Sequence, residues 1–285
     1  MDFLYIFYGD CRLVKCHSQQ KGSSRPDPRG LRRCNRPKQG LYCASAQLGT
    51  EKMQSEDRII HFGVELIHRP VQTKVQTLQK LYFDLSQIRG AGYDSTDFTN
   101  PMQARFYSRR GSKTQSLALF LPDREVMVEE WADIPLSNFL DKVREMARLA
   151  LPARGVERLM VHTATIRSTF ALTHYDDARV FLLDHACRQE DRIAPHFRRP
   201  VAVGGLRFVL PETNEDPGNL HVTVESFRHS LKEVFVEVKG VFGRRPVGLE
   251  DVDVILGNIG AVRSFVSERV YPYLEQYDHP QGLDL

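Results

Sequence analysis

The hexapeptide "REVMVE" at residues 124–129 returns as "KEVFVE" at residues 232–237, with four of six positions identical. A second pair, "QARFYS" at 103–108 and "GLRFVL" at 205–210, shares an Arg-Phe step in the same order along the chain. The offsets of 108 and 102 residues differ by six, and the difference falls in a segment that contains "ETNEDPGN" in the second copy. A loop tolerates such an insertion. The two matches therefore indicate an internal duplication.

The hydrophobic pattern around these stretches predicts the same elements in each copy: a strand, a helix, three strands and a helix. In the first copy the predicted strands are 59–67, 103–109, 115–121 and 125–131, and the helices start near Val71 and near Leu136. In the second copy the strands are near 156–170, 201–210, 220–228 and 232–242, and the helices are 175–188 and 249–274.

The duplication predicts the fold class. One copy alone would be small for a stable core, so we expect an α+β protein in which two tandem βαβββα repeats, 57–155 and 156–278, share one mostly antiparallel curved sheet with helices on one face. This element order resembles the duplicated saddle of the TATA-box-binding-protein-like folds. The resemblance is one of topology and implies a fold, without assigning a role to any residue.

Residues 1–56 have a different character from the rest of the chain. The stretch "SQQKGSSRPDPRGLRRCNRPKQG" lacks apolar periodicity, which predicts a disordered or non-native tail; residues 279–285 are also expected to be disordered. Three interpretations of the tail remain open: a zinc site, a basic arm for a polyanion, or a start codon placed ahead of Met53. The candidate zinc ligands are Cys11, Cys16, His17, Cys34 and Cys43, but their spacing matches no common zinc motif.

Charge and cysteine content constrain the partners of the remaining 229 residues. They hold 29 basic and 31 acidic residues, although the whole chain has a net charge of +3. That balance does not favour nucleic acid. Their one cysteine, Cys187, fits a reducing compartment, and there is no apolar run long enough to span a bilayer. We expect a cytoplasmic protein with no membrane contact.

The segment "LTHYDDARVFLLDHACR", residues 172–188, concentrates polar side chains that could suggest a metal site. On a helical wheel, His174, Asp177, Asp184, His185 and Arg188 fall on one solvent-facing side, and the two histidines are too far apart to bind one ion. No metal site is predicted. Thr173 and Asp176 have capping-box spacing.

Arg179 stands out on the same wheel because it falls in the middle of the apolar side. It is a candidate buried charge, which would need a carboxylate partner. The alternative is that its guanidinium extends to the edge of the helix and reaches water.

Alternation along the strands predicts which side chains lie on the uncovered face of the sheet. Val126 and Val128, like Val234, Val236 and Val238, are predicted to face the helices. The candidate ligand- or partner-binding residues on the opposite face are Arg105, Tyr107, Glu129, Trp131, Arg207, Glu225, Phe227, Phe235, Glu237 and Lys239. Cross-strand ion pairs on a hydrated sheet are the alternative interpretation of the same residues.

No linear catalytic or nucleotide-binding motif occurs in the sequence, so we predict no catalytic residue and no cofactor. Cys187 and His162 are interpreted as packing residues. The favoured hypothesis is a non-enzymatic binding or assembly module, with a protein or small polar ligand as partner and homodimerisation as a possibility. Two alternatives remain: a nucleic-acid binder that uses the tail and the saddle, and an enzyme that acts on a small polar substrate near His221. The acids on the open face make nucleic acid the less favoured partner.

Overall fold

The structure, a computed structural model, describes residues 58–100, 102–187 and 196–280. Within these ranges ten strands form one antiparallel sheet. The strands are β1 Arg58–His68, β2 Ser95–Asn100, β3 Gln103–Arg109, β4 Gln115–Leu121, β5 Arg124–Glu130, β6 Arg158–Ala171, β7 Gly205–Leu210, β8 Asn219–Ser226, β9 Glu233–Phe242 and β10 Val247–Gly248. The prediction about residues 1–56 lies outside the described residues, as does the part of the prediction about 279–285 that concerns 281–285.

Two long helices, α2 and α4, cover the middle of the sheet. The helical segments are α1 Val75–Ser86, α2 Leu136–Ala153, α3 Ala178–Val180 with a π-helical turn Phe181–Ala186, a 3-10 turn Leu249–Asp251, α4 Val252–Phe265 with a π-helical turn Val266–Val270, and α5 Tyr271–Glu275. Helix α2 contacts β1, helix α4 contacts β6 and β9, and the two helices contact each other. The predicted α+β class with a mostly antiparallel sheet is confirmed.

The strand order makes the duplication visible. It runs β2-β3-β4-β5-β1-β6-β9-β8-β7, with β10 paired to β6. The first strand of each half, β1 or β6, lies at the centre of the sheet. Outward from β1 lie β5, β4 and β3, and outward from β6 lie β9, β8 and β7, so the two halves arrange their strands in the same way. Two elements were not predicted: the short edge strand β2 and the two-residue β10. Otherwise the halves have corresponding strands.

The core lies between the sheet and its helices. Phe62, Val64 and Leu66 alternate along β1 and are almost fully buried, as are Val234, Val236 and Val238 on β9. Helix α2 adds Phe139, Val143 and Met146 from its apolar side, because residues three and four apart share a helix face. Each such large apolar side chain stabilises the fold by about 1.5–3 kcal/mol.

The predicted orientation of β5 is wrong. Val64, which is buried, pairs with Met127 on β5, so Glu125, Met127 and Glu129 face the helices while Val126 and Val128 lie on the open face. On β9 the valines face the helices, as predicted. The two similar hexapeptides therefore present opposite faces, because a shift of one residue reverses every side chain of a strand.

The segment 172–188 also differs from its prediction. Helix α3 begins at Ala178, and the Asp177 carboxylate accepts a hydrogen bond from the Arg179 N–H, so Asp177 is the N-cap and the Thr173–Asp176 capping box is wrong. Arg179 is half-buried, with 34 % of its side chain exposed, and its Nε lies 2.9 Å from Asp177 Oδ1. The prediction of a buried charge is wrong, because Arg179 reaches the surface and pairs with its neighbour. Arg188 lies outside the described residues.

Candidate interaction surface on the open sheet face

A row of polar side chains crosses the open face in register. Each member is the direct cross-strand neighbour of the next, from β3 through β4, β5, β1, β6, β9 and β8 to β7. We call this set the polar row: Arg109, Gln115, Glu130, His61, Arg167, Glu237, Thr223 and Arg207. With strands about 4.8 Å apart, it extends roughly 34 Å.

Ion pairs occupy the centre of the polar row. His61 donates through Nδ1 to Glu130 Oε2 at 2.6 Å, and Arg167 Nε donates to Glu237 Oε2 at 2.6 Å. Burial disfavours the Glu130 carboxylate, but the hydrogen bond from His61 and the charges of His61 and Arg167 outweigh it, so the pKa of Glu130 lies below its usual value. Both central acids therefore have hydrogen-bonding partners within the sheet, as the cross-strand alternative anticipated.

An aromatic cluster lies beside the polar row at the end of the sheet where β5 stops. Trp131 contacts His229 at 6.3 Å between ring centroids, His229 contacts Phe227 at 5.2 Å, and Phe227 stacks on Phe235 at 6.3 Å. We call these four residues the aromatic cluster. The Lys113 ammonium lies 4.6 Å from the centre of the Trp131 ring. A hairpin from each half of the chain therefore contributes to one mixed aromatic and cationic patch.

The backbone at Trp131 has an unusual conformation. Its φ is 50°, in the left-handed region that bulky residues avoid. Such a conformation costs about 1–3 kcal/mol and concentrates at functional sites. The turn ends β5 and brings the indole against His229 and Lys113, so the strain accompanies the formation of the aromatic cluster.

The two halves of the open face differ in polarity. In the first half, neighbouring strands place apolar side chains side by side and all are half-buried: Tyr107, Leu117, Leu119, Val126 and Val128. In the second half the corresponding area mixes Val209 and Val241 with four polar side chains: Thr163, Thr165, His221 and Lys239. The apolar half is thus continuous with the polar row and leads towards the aromatic cluster.

Most of the predicted site residues reach this surface. Arg105, Tyr107, Arg207, Glu225, Phe235, Glu237 and Lys239 lie on the open face by strand register, and Trp131 and Phe227 belong to the aromatic cluster. Sequence reasoning missed His61, Glu130, Lys113 and His229. The alternation of Phe62, Val64 and Leu66 could have placed His61 on the open face, but Lys113 and His229 lie in hairpin turns, where no periodicity applies.

Glu129 does not belong to the open face, and that prediction is wrong. Its carboxylate is buried between the sheet and α2, where Oε1 lies 2.9 Å from Lys142 Nζ and accepts a 2.5 Å hydrogen bond from Ser116 Oγ. Arg110 Nη2 donates to Oε2 at 2.9 Å. A buried charge needs such partners, and Lys142, Ser116 and Arg110 are the physical reason that Glu129 can lie inward.

Lys142 and Tyr93 complete this Glu129 cluster. Burial lowers the pKa of Lys142, and the Glu129 carboxylate partly offsets that effect. The Lys142 ammonium lies 4.3 Å from the centre of the Tyr93 ring and also donates to Ser116 Oγ. Burial, and then the charge of Glu129, raise the pKa of Tyr93. The cluster is enclosed by protein, so we assign it a structural task in holding β4 and β5 to α2.

A second inward acid, Glu125, pairs with the end of the same helix. Arg154 Nη1 donates to Glu125 Oε1 at 3.0 Å, and Arg154 Nε donates to Thr73 Oγ1 at 2.9 Å. Burial raises the pKa of Glu125 to about 7 in spite of the opposing charge of Arg154. The two inward acids of β5 therefore pair with Lys142 inside α2 and with Arg154 directly after it, and they link the sheet to that helix at two levels.

Neither the family models nor the curated proteins with which this sequence was compared gave a match. Among the described residues, no group of three or more His, Cys, Asp or Glu side chains could hold a metal ion. Within the same ranges, no helix combines the length and the apolar character that crossing a bilayer requires.

Proposed function

We propose that this protein is a non-enzymatic binding module that takes a protein partner on the open face of its sheet. The aromatic cluster carries the proposal. It places a tryptophan, two phenylalanines and a histidine next to an apolar half-face and a row of charges. Large aromatic side chains of this kind supply most of the binding energy at protein interfaces.

The charges on the open face favour a protein over a polyanion. The open face carries several basic side chains, but acids lie among them, including Glu130 and Glu237, which pair with His61 and Arg167, and Glu225. A surface that tracks phosphates needs basic side chains along its length without acids between them. A mixture of matched charges with aromatic and apolar groups is instead typical of a protein interface, whose polar groups mainly set specificity.

Site-specific cross-linking tests where a partner binds. A photo-reactive phenylalanine analogue would replace Thr223 in the polar row, and a matched control would replace Lys80 on the exposed side of α1. We expect a discrete cross-linked protein from position 223 and none from position 80 in cells that produce the full chain. Cross-linking from position 80 alone would contradict the proposal.

Truncating two residues of the aromatic cluster should weaken the interaction. We expect the double variant Trp131→Ala, Phe235→Ala to bind the partner identified by cross-linking, once that partner is purified, at least about tenfold more weakly than the parent protein does. Hot-spot residues each contribute about 2 kcal/mol or more. Titration calorimetry on the purified pair measures the change. Phe83→Ala, an exposed aromatic residue on α1, is the matched control and should leave the affinity unchanged. Equal affinity for all three proteins would exclude the aromatic cluster as the site.

Nucleic acid is a second candidate because of the hairpin between β3 and β4. Arg109 and Lys113 line a shallow depression of about 460 Å³ there, and Lys113 lies over Trp131. An aromatic ring beside cations can stack a base next to a phosphate. A fluorescence titration of residues 53–285 with a labelled single-stranded oligonucleotide at low salt tests this. Binding that Lys113→Gln reduces would support it, and no binding at low salt would remove it.

A further inference from the structure

The two edges of the sheet differ in how well they are protected against pairing with another strand. Edge strand β2 has a register irregularity between Asp97 and Asn100 and carries an acidic side chain. Such features protect natural edge strands from association. Edge strand β7, "GLRFVL", keeps unbroken register with β8 from Gly205↔Glu225 to Leu210↔Leu220. Of the two edges of the sheet, only the edge formed by β7 is therefore regular.

The side chains of β7 are apolar and exposed. Val209 is 58 % exposed, Leu210 39 % and Phe208 36 %, and Arg207 is the one charged residue in the strand. Among the residues that the structure describes, β7 pairs with β8 alone, so its outer edge has backbone N–H and C=O groups without strand partners, beside three apolar side chains exposed to water. These properties fit a strand that pairs with another strand.

We propose that β7 pairs antiparallel with β7 of a second copy of this chain, so that the two sheets become one. Identical strands related by a twofold axis can pair only in registers that place residues of the same face opposite each other. Centring the pair on Arg207 puts two guanidinium groups opposite each other, which is unfavourable. Centring it on Phe208 puts Phe208 opposite Phe208, Leu206 opposite Leu210, and Arg207 opposite Val209. Only the registers centred on Arg207 and on Phe208 pair five residues of each β7 strand, and of these two, charge favours the one centred on Phe208.

The helical layer beneath β7 supports the same register. The Phe208 ring contacts Tyr273 of α5 at 6.0 Å, edge to face, and Tyr273 contacts Tyr277 at 5.5 Å. In the Phe208-centred dimer the two copies of this aromatic group meet across the twofold axis and extend the core from one subunit into the other. Five paired residues from each copy, 206–210, make a small interface, so we expect a reversible dimer with a dissociation constant in the micromolar range.

Substitutions at Val209 test the register as well as the dimer. Val209 faces solvent in the monomer, so replacing it should not disturb folding. In the proposed register, Val209→Lys places a lysine opposite the arginine of the other copy, whereas Val209→Glu places a glutamate there. We expect Val209→Lys to weaken dimerisation at least about tenfold and Val209→Glu to leave it as strong as in the parent protein, or stronger. Sedimentation velocity of the full chain over a concentration series measures this.

Three results would overturn the inference. A parent protein that sediments only as a monomer up to its solubility limit excludes the dimer. Equal weakening by Val209→Lys and Val209→Glu excludes the register. Weakening by Thr99→Lys on the β2 edge, with no effect of Val209→Lys, moves the contact to the opposite edge. Thermal unfolding of each variant identifies any loss of folding. Val209 lies at the edge of the open face but outside the aromatic cluster, and the dimer is measured on the purified protein without a partner, so its failure and that of the proposed function can be told apart.

Discussion

Lys142→Met is expected to lower the free energy of unfolding by about 3 kcal/mol. The substitution keeps the length of the side chain and its apolar stem but removes the ammonium 2.9 Å from Glu129 Oε1. The Glu129 carboxylate is only 1 % exposed, and without Lys142 its charge is matched by Arg110 alone. Because Arg110 remains, we expect a loss at the lower end of the range for breaking a buried pair. Urea denaturation at pH 7 measures the change.

Two further variants separate the buried charge from the loss of a side chain. Glu129→Gln combined with Lys142→Met removes both charges, and we expect it to recover at least half of the lost stability, since the cost comes from an uncompensated buried carboxylate. Arg144→Met on the same helix removes a cation that is 46 % exposed and paired with Asp141, and should cost less than about 1 kcal/mol. If Lys142→Met also cost less than about 1 kcal/mol, or if the double variant recovered no stability, the structural role assigned to the Glu129 cluster would be contradicted.

The face of β9 was predictable from sequence and the face of β5 was not. In β9 one set of alternating residues contains Val234, Val236 and Val238, and the other contains three charged residues besides Phe235 and Val241, so hydrophobicity decides which set faces the helices. In β5 one set of alternating residues contains Glu125, Met127 and Glu129, and the other contains Val126 and Val128. Hydrophobicity alone would place the valines on the side of the helices. In the structure the acids face the helices, because Lys142 of α2 and Arg154 directly after it supply cations for them.

A signal for that reversal is present in α2. Lys142 lies on the apolar stripe between Phe139, Val143 and Met146, where a charge is expensive unless an acid meets it. Reading the lysine as a buried cation would have required an acid on the inward side of a neighbouring strand, and Glu129 meets that requirement. Arg179, which drew attention on the same grounds, pairs with Asp177 and lies partly in water, so this reasoning needs the strand and the helix together.

The aromatic cluster shows a different limit. The positions of Phe227 and Phe235 on the open face follow from the alternation that begins in β8 and β9. The contact between Trp131 and His229 depends instead on the strand order and on the positive φ at Trp131. No local pattern fixes a left-handed conformation at a tryptophan. The long-range partners in this cluster could therefore be found only from the three-dimensional structure.

Below pH 6.5, His162 is expected to reduce the stability of the folded protein. Its ring is buried in the core, stacks on Phe242 at a centroid distance of 5.1 Å, and lies 2.9 Å from the Asn258 amide through Nε2. Burial lowers the pKa of His162 to about 4. The unfolded chain takes up this proton near pH 6.5 and the folded protein only near pH 4, so protonation favours unfolding throughout that interval. The full effect is about 3 kcal/mol.

Replacing His162 by Phe isolates this effect. The variant keeps a ring against Phe242 but cannot be protonated, so its stability should fall less than that of the parent protein between pH 7 and pH 4. Burial lowers the pKa of His68 too, and burial raises that of Glu125, with opposite consequences for stability in the same interval. Both groups are present in parent and variant, so their contributions cancel in the difference between the free energies of unfolding of the two proteins. Urea denaturation at several pH values should show this difference shifting by about 3 kcal/mol in favour of His162→Phe; parallel curves would mean that His162 titrates alike in the folded and unfolded states.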